Sequence, residues 1–260
     1  MGSLITSKLE DKIVTLTLNR PEKYNSFTEP MAEELQEALE DAGQNDKVRC
    51  VLLTGEGKAF CAGQDLPEVV EKEEDYELGV TVRGSYNPII KAIRKLEKPV
   101  VCAVNGTAAG AGANIAFACD IVLASDQAVF VQSFSKIGLI PDSGGTFMLP
   151  RLVGLQRANI MYMLDEKISP DQAVEMGLIY KVTEHDKLIE EALEVCRKLA
   201  SMPTKGFGLY KRAINKSLSN SLDEQLELEA DLQTEAGNTN DYKEGVQAFL
   251  EKRKPEFKGK

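Results

Sequence analysis

The chain has 260 residues, of which 43% are hydrophobic and 28% are charged, and its formal net charge at pH 7 is −10. This length can bury a sizeable core, and the composition is that of an ordinary globular protein. The excess of acidic residues argues against nucleic acid and anionic membranes as partners. Because the sequence has no membrane-length apolar run and no signal peptide, we expect a protein of the cytoplasm or of an organelle matrix that does not act at a membrane.

The cysteines are scattered through apolar segments and lack the spacing of metal ligands. They are Cys50, Cys61, Cys102, Cys119 and Cys196. We therefore predict buried, reduced thiols and no metal site. The single histidine, His185, lies in a polar turn, which argues against a histidine-dependent triad or a histidine-rich metal centre.

The first predicted elements are a strand and a helix. Apolar residues alternate with threonine over Ile13–Leu18, as in a half-buried strand, and Asn19–Lys23 interrupts the pattern. Thr28 can cap a helix that carries Pro30 in its first turn. The apolar face of this helix repeats every four residues, at Met31, Leu35 and Leu39.

The next segment contains a buried strand and a second helix. Val48–Thr54 is apolar throughout, which predicts a strand covered on both faces. A turn then leads into residues 59–65. The acidic stretch Glu68–Glu77 has little pattern, and we expect a mobile loop or a frayed helix there. A helix face follows and ends before Pro99; its apolar residues are Ile89, Ile90, Ile93 and Leu96.

The central part of the chain is predicted to hold three more strands and a helix. The strands are Val100–Val104, Ile121–Ala124 and Val129–Val131, and the helix follows Asp142 and runs to about Arg151. Asn105 opens a glycine-rich turn directly after the first of these strands.

Toward the C-terminus the pattern becomes helical. Ser169 begins a helix with a capping box, Gly177 ends it, and Leu178–Val182 predicts one more strand. From Leu188 onward every pattern is helical, including a capping box at Ser221. The sequence therefore predicts an α/β core followed by a helical extension.

Two glycine-containing turns could offer backbone amides to a ligand. They are Phe60–Gly63 and Gly110–Gly112, each of which follows a predicted strand. One amide from each turn, converging on one oxygen, would form an oxyanion hole that stabilises developing negative charge. The alternative is that both are ordinary turns with glycine in left-handed positions.

Asp142 is the acidic residue best placed to act beside such turns. It follows Pro141 and precedes a serine and two glycines. It could cap the next helix, in which case amide donors would lower its pKa, or act as a base among apolar neighbours that raise its pKa. Those neighbours are Phe134, Leu139, Ile140 and Phe147. The sequence leaves both roles open.

The chain resembles the enoyl-CoA hydratase/isomerase (crotonase) superfamily over essentially its whole length. The matching motifs are Asn19-Arg20-Pro21 with Asn25, Lys58–Asp65, Lys98–Gly106, Cys119-Asp120 and Gly138–Thr146. The resemblance implies a spiral of β-β-α units (residues 1–195) and a C-terminal helical segment (196–260) that forms a homotrimer, often a hexamer, and completes the CoA site. It implies an acyl-CoA thioester substrate, with coenzyme A as part of the substrate and no separate cofactor. By position, the oxyanion-hole amides would be those of Ala62 and Ala111.

The catalytic residues depart from those of the hydratases. Hydratases carry two glutamates where this chain has Asn114 and Phe134, and usually a glycine where it has Asp142. These features are similar to the isomerases of the phenylacetate pathway, which rearrange a ring epoxide of phenylacetyl-CoA and shift double bonds. A double-bond shift needs one carboxylate and an oxyanion hole, so an isomerase is favoured over hydration, another reaction of this fold, or a non-catalytic acyl-CoA-binding protein.

The resemblance also implies a set of substrate contacts. Asn114 could orient the substrate or a water. The full set is Lys23, Tyr24, Lys58, Gln64, Asp65, Leu66, Gly110, Asn114, Phe134, Leu139, Pro141, Phe249 and Lys252.

Overall fold

The computed structural model describes residues 2–70 and 76–260. Their strands are β1 (Ile5–Glu10), β2 (Ile13–Leu18), β3 (Cys50–Gly55), β4 (Ala59–Cys61), β5 (Val100–Val104), β6 (Thr107–Ala109), β7 (Ile121–Ser125), β8 (Val129–Val131) and β9 (Lys181–Thr183). The helices of the first part are α1 (Glu29–Gln44), α2 (Leu66–Val70), α3 (Leu78–Thr81), α4 (Asn87–Lys95), α5 (Ala111–Ala118), α6 (Gly145–Val153), α7 (Leu155–Met163) and α8 (Pro170–Glu175). Four more helices follow in the described residues: α9 (Leu188–Ala200), α10 (Thr204–Ser217), α11 (Leu222–Gly237) and α12 (Asn240–Glu251).

The core of the fold is a six-stranded sheet with the order β1-β2-β3-β5-β7-β9. All neighbours pair in parallel except β1 and β2, which form an antiparallel hairpin. The side chains of β3 alternate between two apolar layers: Val51 and Leu53 face the layer that contains α1, α4 and α5, whereas Cys50 and Leu52 face α9. The prediction of a strand buried on both faces is confirmed.

A second sheet has three short strands in the order β4-β6-β8. Of these, only β8 is predicted by the sequence, because its Val-Phe-Val run is typical of a strand, whereas the alanine-containing segments of β4 and β6 are not. The strands of this sheet are parallel, and both glycine turns begin at their ends. This small sheet therefore positions the candidate site.

The expected mixed α/β fold with C-terminal helices is confirmed, as are several local predictions. Thr28 accepts a hydrogen bond from the amide of Met31 (3.4 Å), and capping boxes begin α8 and α11. All five cysteines are free and buried.

Three elements of the structure differ from the sequence prediction. Strand β1 has no apolar alternation, since Thr6–Glu10 are all exposed, and it was not predicted. The strand expected at Leu178–Val182 shrinks to β9, because the amides of Leu178 and Ile179 both donate to Ala173 and close helix α8. Helix α7 was not predicted either; its end residues Leu155 and Met163 are exposed and obscure the apolar pattern.

The stretch expected to be a loop or frayed helix, Glu68–Glu77, lies partly outside the described residues. Its first residues belong to α2, and 71–75 are not described. In the described part of the chain, no helix is both long enough and apolar enough to span a bilayer.

The C-terminal tail is held against the body of the protein by two buried charged residues. Arg49 donates to Thr204 Oγ1 (2.8 Å) and to the carbonyl of Phe257 (2.9 Å). Asp241 accepts from the amides of Lys258 and Gly259, both at 2.6 Å. These contacts fix the start of α12 relative to β3.

Candidate active site

The second sheet brings the two glycine turns together. In the β4–β6 pair, Ala59 lies opposite Thr107 and Cys61 lies opposite Ala108. The carboxyl ends of parallel strands meet at one edge of a sheet, which is where ligands bind in many α/β proteins. The segment 62–65 and the start of α5 therefore leave the sheet side by side.

Glycine allows the two turns to approach closely. A Cβ at Gly112 would lie 2.6 Å from the Cβ, Sγ and carbonyl oxygen of Cys61. A Cβ at Gly63 would lie 3.7 Å from the amide nitrogen of Ala111, which shows that the turns touch at the point where their amides are offered.

The predicted donor role of the Ala62 amide is wrong in this geometry. That amide donates to the carbonyl of Tyr24 at 3.0 Å. Phe27 pairs with the residues on either side of Gln64: its amide donates to Gly63 (2.7 Å), and its carbonyl accepts from Asp65 (2.9 Å). In an extended segment the intervening amide points the other way, so the Gln64 N–H points away from Phe27. It has no acceptor among residues 2–70 and 76–260.

The amide of Ala111 is a free donor of the second turn. Ala111 is the first residue of α5, so its N–H has no partner inside the helix. The N-cap residue Gly110 has a φ of +52°. As a glycine it offers no side chain that could accept a hydrogen bond from this N–H. The helix dipole adds positive potential at this end. The two adjoining turns therefore each offer a free amide, Gln64 in the first and Ala111 in the second.

Asp142 lies in the loop before α6 and does not cap that helix. The helix begins at Gly145, and its N-cap residue is Gly144. The carboxylate accepts one side-chain hydrogen bond, from Ser143 Oγ to Oδ1 at 2.9 Å, and it forms no ion pair with any described residue. Burial raises the pKa of the Asp142 carboxyl above its ordinary value, while the hydrogen bond from Ser143 opposes this rise. Of the two roles left open by the sequence, the structure favours the base.

Asn114 has its amide occupied by the protein. Its side chain is 1% exposed. Its Nδ2 donates to the backbone carbonyl of Asp142 (2.9 Å), and its Oδ1 accepts from Gln132 Nε2 (3.1 Å). A Cβ at Gly145 would collide with this amide. Asn114 therefore braces the Asp142 loop, rather than standing ready to orient a water.

The wall beside the second turn is apolar. The ring of buried Phe134 lies against Gly110, where a Cβ would be 3.6 Å from its Cζ. The carbonyl of Leu139 accepts from the Tyr162 hydroxyl at 3.1 Å, which fixes the approach to Pro141. Phe134, which the resemblance aligns with a hydratase glutamate, therefore contributes an apolar ring and no carboxylate to this wall.

Three predicted substrate contacts lie together on the outer side of the first turn. Lys23, Tyr24 and Lys58 are all exposed. Their two loops touch, since Asn25 Nδ2 donates to the carbonyl of Glu56 at 2.9 Å. Leu66 is half exposed at the start of α2. These side chains are free to meet a ligand that enters toward the Gln64 amide.

Asp65 has a partner within the protein. Its carboxylate forms an ion pair with Arg20 at 2.9 Å, and both side chains are largely buried. Arg20 also donates to the carbonyl of Ser26. The pair fixes the loop that carries Tyr24 beside the segment that carries Gln64, so Arg20 is not a free cation for a phosphate.

The structure does not bring Phe249 and Lys252 to this site within one chain. Phe249 is 83% exposed on α12 and borders a groove of about 450 Å³ with Pro203, Tyr242 and Phe257. Lys252 ends the same helix in a left-handed conformation. Neither the groove nor its lining includes Asp142 or the free amides.

Sequence reasoning missed several residues of the site. Ser143 and Gln132 support Asp142 and Asn114, and Tyr86 donates to the side chain of Gln64. Tyr86 gave no signal, because its partner is 22 residues away in sequence. Cys61 lies at the turn, but burial raises the pKa of its thiol to about 12, so it stays protonated and is no nucleophile.

Comparisons with known proteins identify the family of the chain. A sequence model of the enoyl-CoA hydratase/isomerase family matches residues 8–260. The chain is 49% identical to the 1,2-epoxyphenylacetyl-CoA isomerase of Escherichia coli K12, with 100% of both chains covered. It is 38% identical to the trans-2-decenoyl-[acyl-carrier-protein] isomerase of Streptococcus mutans, with 98% of both covered. Its fold matches the crystal structure of an enoyl-CoA hydratase from Bacillus anthracis with TM-score 0.92 and 35% identity, covering 99% of this chain and 100% of that one.

Proposed function

Because the chain belongs to the enoyl-CoA hydratase/isomerase family, we propose that it is an acyl-CoA isomerase that shifts a double bond from the Δ3 to the Δ2 position. The observation that carries this proposal is the half-buried carboxylate of Asp142, which has a raised pKa and no cationic partner among the described residues. A carboxyl group of this kind can both remove and return a proton.

The proton balance of the reaction needs one acid/base. Asp142 takes the proton from C2 of the Δ3-enoyl thioester, and the electrons move onto the thioester oxygen as a dienolate. The amides of Gln64 and Ala111 hold that oxygen. The same carboxyl group then returns the proton to C4, which leaves the double bond between C2 and C3. No water is consumed.

The arrangement around Asn114 supports isomerisation over hydration. Hydration needs a water to be activated and a proton to be delivered, usually by two carboxyl groups. Both amide atoms of Asn114 are occupied by Gln132 and Asp142, and Phe134 is apolar. A hydratase remains the alternative within the family, and its test is water addition to crotonyl-CoA.

A second substrate class is favoured by the Escherichia coli relative, whose name specifies 1,2-epoxyphenylacetyl-CoA. The same carboxyl group and amides would serve a ring-epoxide rearrangement, which also passes through charge on an oxygen. In that case the enzyme would act in phenylacetate catabolism.

For coenzyme A we propose contacts to the exposed side chains around the first turn. Lys23 and Lys58 are exposed cations that form no ion pair with any described residue, and Tyr24 between them is 57% exposed. Ammonium groups suit the phosphates of coenzyme A, and an aromatic ring can stack on its adenine. Lys23→Ala and Lys58→Ala should raise KM with little change in kcat.

We further propose that residues 196–260 form the contacts of a homotrimer, or of a hexamer built from two trimers, and complete the CoA site of a neighbour with Phe249 and Lys252. Helix α11 buries none of its residues within one chain, and large apolar side chains of α11 and α12 are exposed, notably Leu222, Leu226, Phe249 and Leu250. Apolar surface of this extent is typical of an interaction site. Light scattering coupled to size exclusion will test the assembly.

The experiment that tests the function is a panel of thioesters assayed with the wild type and Asp142→Ala. The panel contains crotonyl-, Δ3-enoyl-, dienoyl- and epoxyphenylacetyl-CoA. We expect the wild type to isomerise Δ3-enoyl-CoA and the variant to be inactive. An unchanged Δ3-enoyl-CoA, or full activity of the variant, would contradict the proposal.

A further inference from the structure

A buried tyrosine contacts the residue that carries the first free amide. Tyr86 is 2% exposed, and its hydroxyl donates a hydrogen bond to Oε1 of Gln64. Burial raises the pKa of this phenol well above its ordinary value, so the hydroxyl remains protonated and acts as a donor. The steps of the proposed reaction do not use this group directly.

The side-chain amide of Gln64 is fixed at every polar atom. Its Nε2 donates to the carbonyl of Phe27 (3.2 Å) and to Oε2 of Glu68 (3.1 Å). Oε1 of Glu68 in turn accepts from the amide of Glu29 (3.1 Å). With Tyr86 as the third partner, the Gln64 side chain is bonded to three different elements of the fold. An amide with three such partners has one orientation.

The backbone at Gln64 is constrained on both sides by the same neighbour. The carbonyl of Gly63 and the amide of Asp65 both bond to Phe27. The N–H of Gln64 lies between these two contacts, and the fixed side chain limits rotation of the peptide that carries it. The direction of this N–H therefore depends on the side-chain contacts as well as on the strand-like pairing.

The local fold aims the phenol at this position. Tyr86 is the last residue of a π-helical turn, Val82–Tyr86, that precedes α4. Single π-helical turns occur frequently at functional sites, because the extra residue re-aims a side chain. The Tyr86 ring packs edge-to-face on Phe27, with centroids 6.1 Å apart and an interplanar angle of 79°.

We infer that Tyr86 is a positioning residue of the oxyanion hole, acting through the side chain of Gln64 to hold the Gln64 N–H on the thioester oxygen. This inference rests on the proposed function only in assigning that N–H to the oxygen. The inference predicts that removal of the phenolic hydroxyl weakens the polarisation of a bound thioester carbonyl without weakening the binding of coenzyme A.

The test compares Tyr86→Phe, Gln64→Met and the double variant with the wild type. Phenylalanine keeps the ring packing on Phe27, and methionine keeps the length of Gln64 without its hydrogen bonds. Infrared difference spectra of bound butyryl-CoA report the carbonyl stretching band, and steady-state kinetics with Δ3-enoyl-CoA report kcat and KM. Thermal unfolding of each variant monitors the fold.

We expect the carbonyl band to shift less far to lower frequency in Tyr86→Phe than in the wild type. We expect kcat to fall on the order of tenfold while KM stays within about twofold, as for loss of one positioning hydrogen bond. In the Gln64→Met background, Tyr86→Phe should cause no further loss, since its effect passes through Gln64.

Two outcomes would overturn the inference: an unchanged carbonyl band in Tyr86→Phe, or an equal loss in both backgrounds. The proposed function can fail separately: a wild type that shifts the carbonyl band of butyryl-CoA but isomerises no Δ3-enoyl-CoA would refute it. The spectra of bound butyryl-CoA would then still decide the role of Tyr86.

Discussion

The hydrogen of Gly112 occupies a place where no methyl group fits, because a Cβ there would lie 2.6 Å from the Cβ and Sγ of Cys61. Gly112 lies in the first turn of α5, and Cys61 ends β4. This contact sets the distance between the two turns that offer free amides. The geometry of the proposed oxyanion hole thus depends on a packing contact between two residues that take no part in the chemistry.

Gly112→Ala is expected to be destabilising and to lower activity. The added methyl group must push α5 away from β4, which typically costs about 1–3 kcal/mol of unfolding free energy. Urea denaturation measures the loss, and the infrared band of bound butyryl-CoA reports any separation of the amides. Gly237→Ala is the matched control, since nothing lies within 4 Å of a Cβ at that position. If Gly112→Ala and the wild type were equally stable, α5 and β4 would be able to move apart at this contact without a cost in unfolding free energy.

Asp142→Asn is expected to lower kcat by roughly 10²–10⁴-fold, the usual contribution of a general acid/base. Since the reaction begins with the ionised carboxylate, kcat/KM of the wild type should rise with pH and level off above the raised pKa of Asp142. The limb should lie at higher pH than the ordinary aspartate value of 3.8. A pH profile with its limb at or below that value would contradict the role of burial.

The same substitution should raise thermal stability at neutral pH. Burial raises the pKa of Asp142 in the folded state, so stability from the protonated group is present below the unfolded pKa and lost as the pH rises through the folded pKa. Asparagine stays neutral throughout. Differential scanning calorimetry should therefore find Asp142→Asn more stable than the wild type at pH 7, with the difference shrinking in acid.

Asn114→Glu is expected to lower isomerase activity without creating a hydratase. The longer side chain meets Gly145 and replaces the donor to the Asp142 carbonyl by a carboxylate. The absorbance of crotonyl-CoA measures hydration. Asn114→Ala loses the same hydrogen bond without adding charge, so the difference between the two variants isolates the charge. Rapid hydration by Asn114→Glu would show that the loop has room for an activated water.

Asp241→Ala is expected to release the C-terminal tail. Removing the buried acceptor leaves the amides of Lys258 and Gly259 without partners, at about 1–3 kcal/mol. Hydrogen–deuterium exchange of these amides should become faster and the melting temperature should fall. Asp231→Ala, an exposed residue of α11, is the control. If hydrogen–deuterium exchange at both amides were unchanged in Asp241→Ala, the contacts of Arg49 alone would be sufficient to hold the tail.

The sequence predicted the parts of the fold whose signals are local. Capping residues such as Ser169 and Ser221 act within one helical turn, and the apolar run of β3 reports its own burial. By contrast, β4 and β6 contain alanine and lack the β-branched run that marks β8, so these strands depend on pairing with distant segments. The site was therefore located by motif, while the small sheet beneath it was not predicted.

The same reason explains the error at the first turn. Both Ala62 and Gln64 flank Gly63, and nothing in the local sequence says which amide is free. That choice depends on Tyr24 and Phe27, which lie about 40 residues earlier in the sequence. The carbonyl of Tyr24 accepts from Ala62, and the backbone of Phe27 bonds to Gly63 and Asp65. Asp142 was found because its type and its neighbours were sufficient; its supports, Ser143 and Asn114, became visible only through their contacts.

Asn114 forms its hydrogen bond with the backbone of residue 142 and not with the side chain. This has a consequence for redesign. The loop would keep its shape with another residue there, because neither this hydrogen bond nor the start of α6 requires a carboxyl group. A new nucleophile or proton donor could thus be installed in this loop by a single amino-acid substitution, which makes position 142 a natural starting point for laboratory evolution of new thioester chemistry.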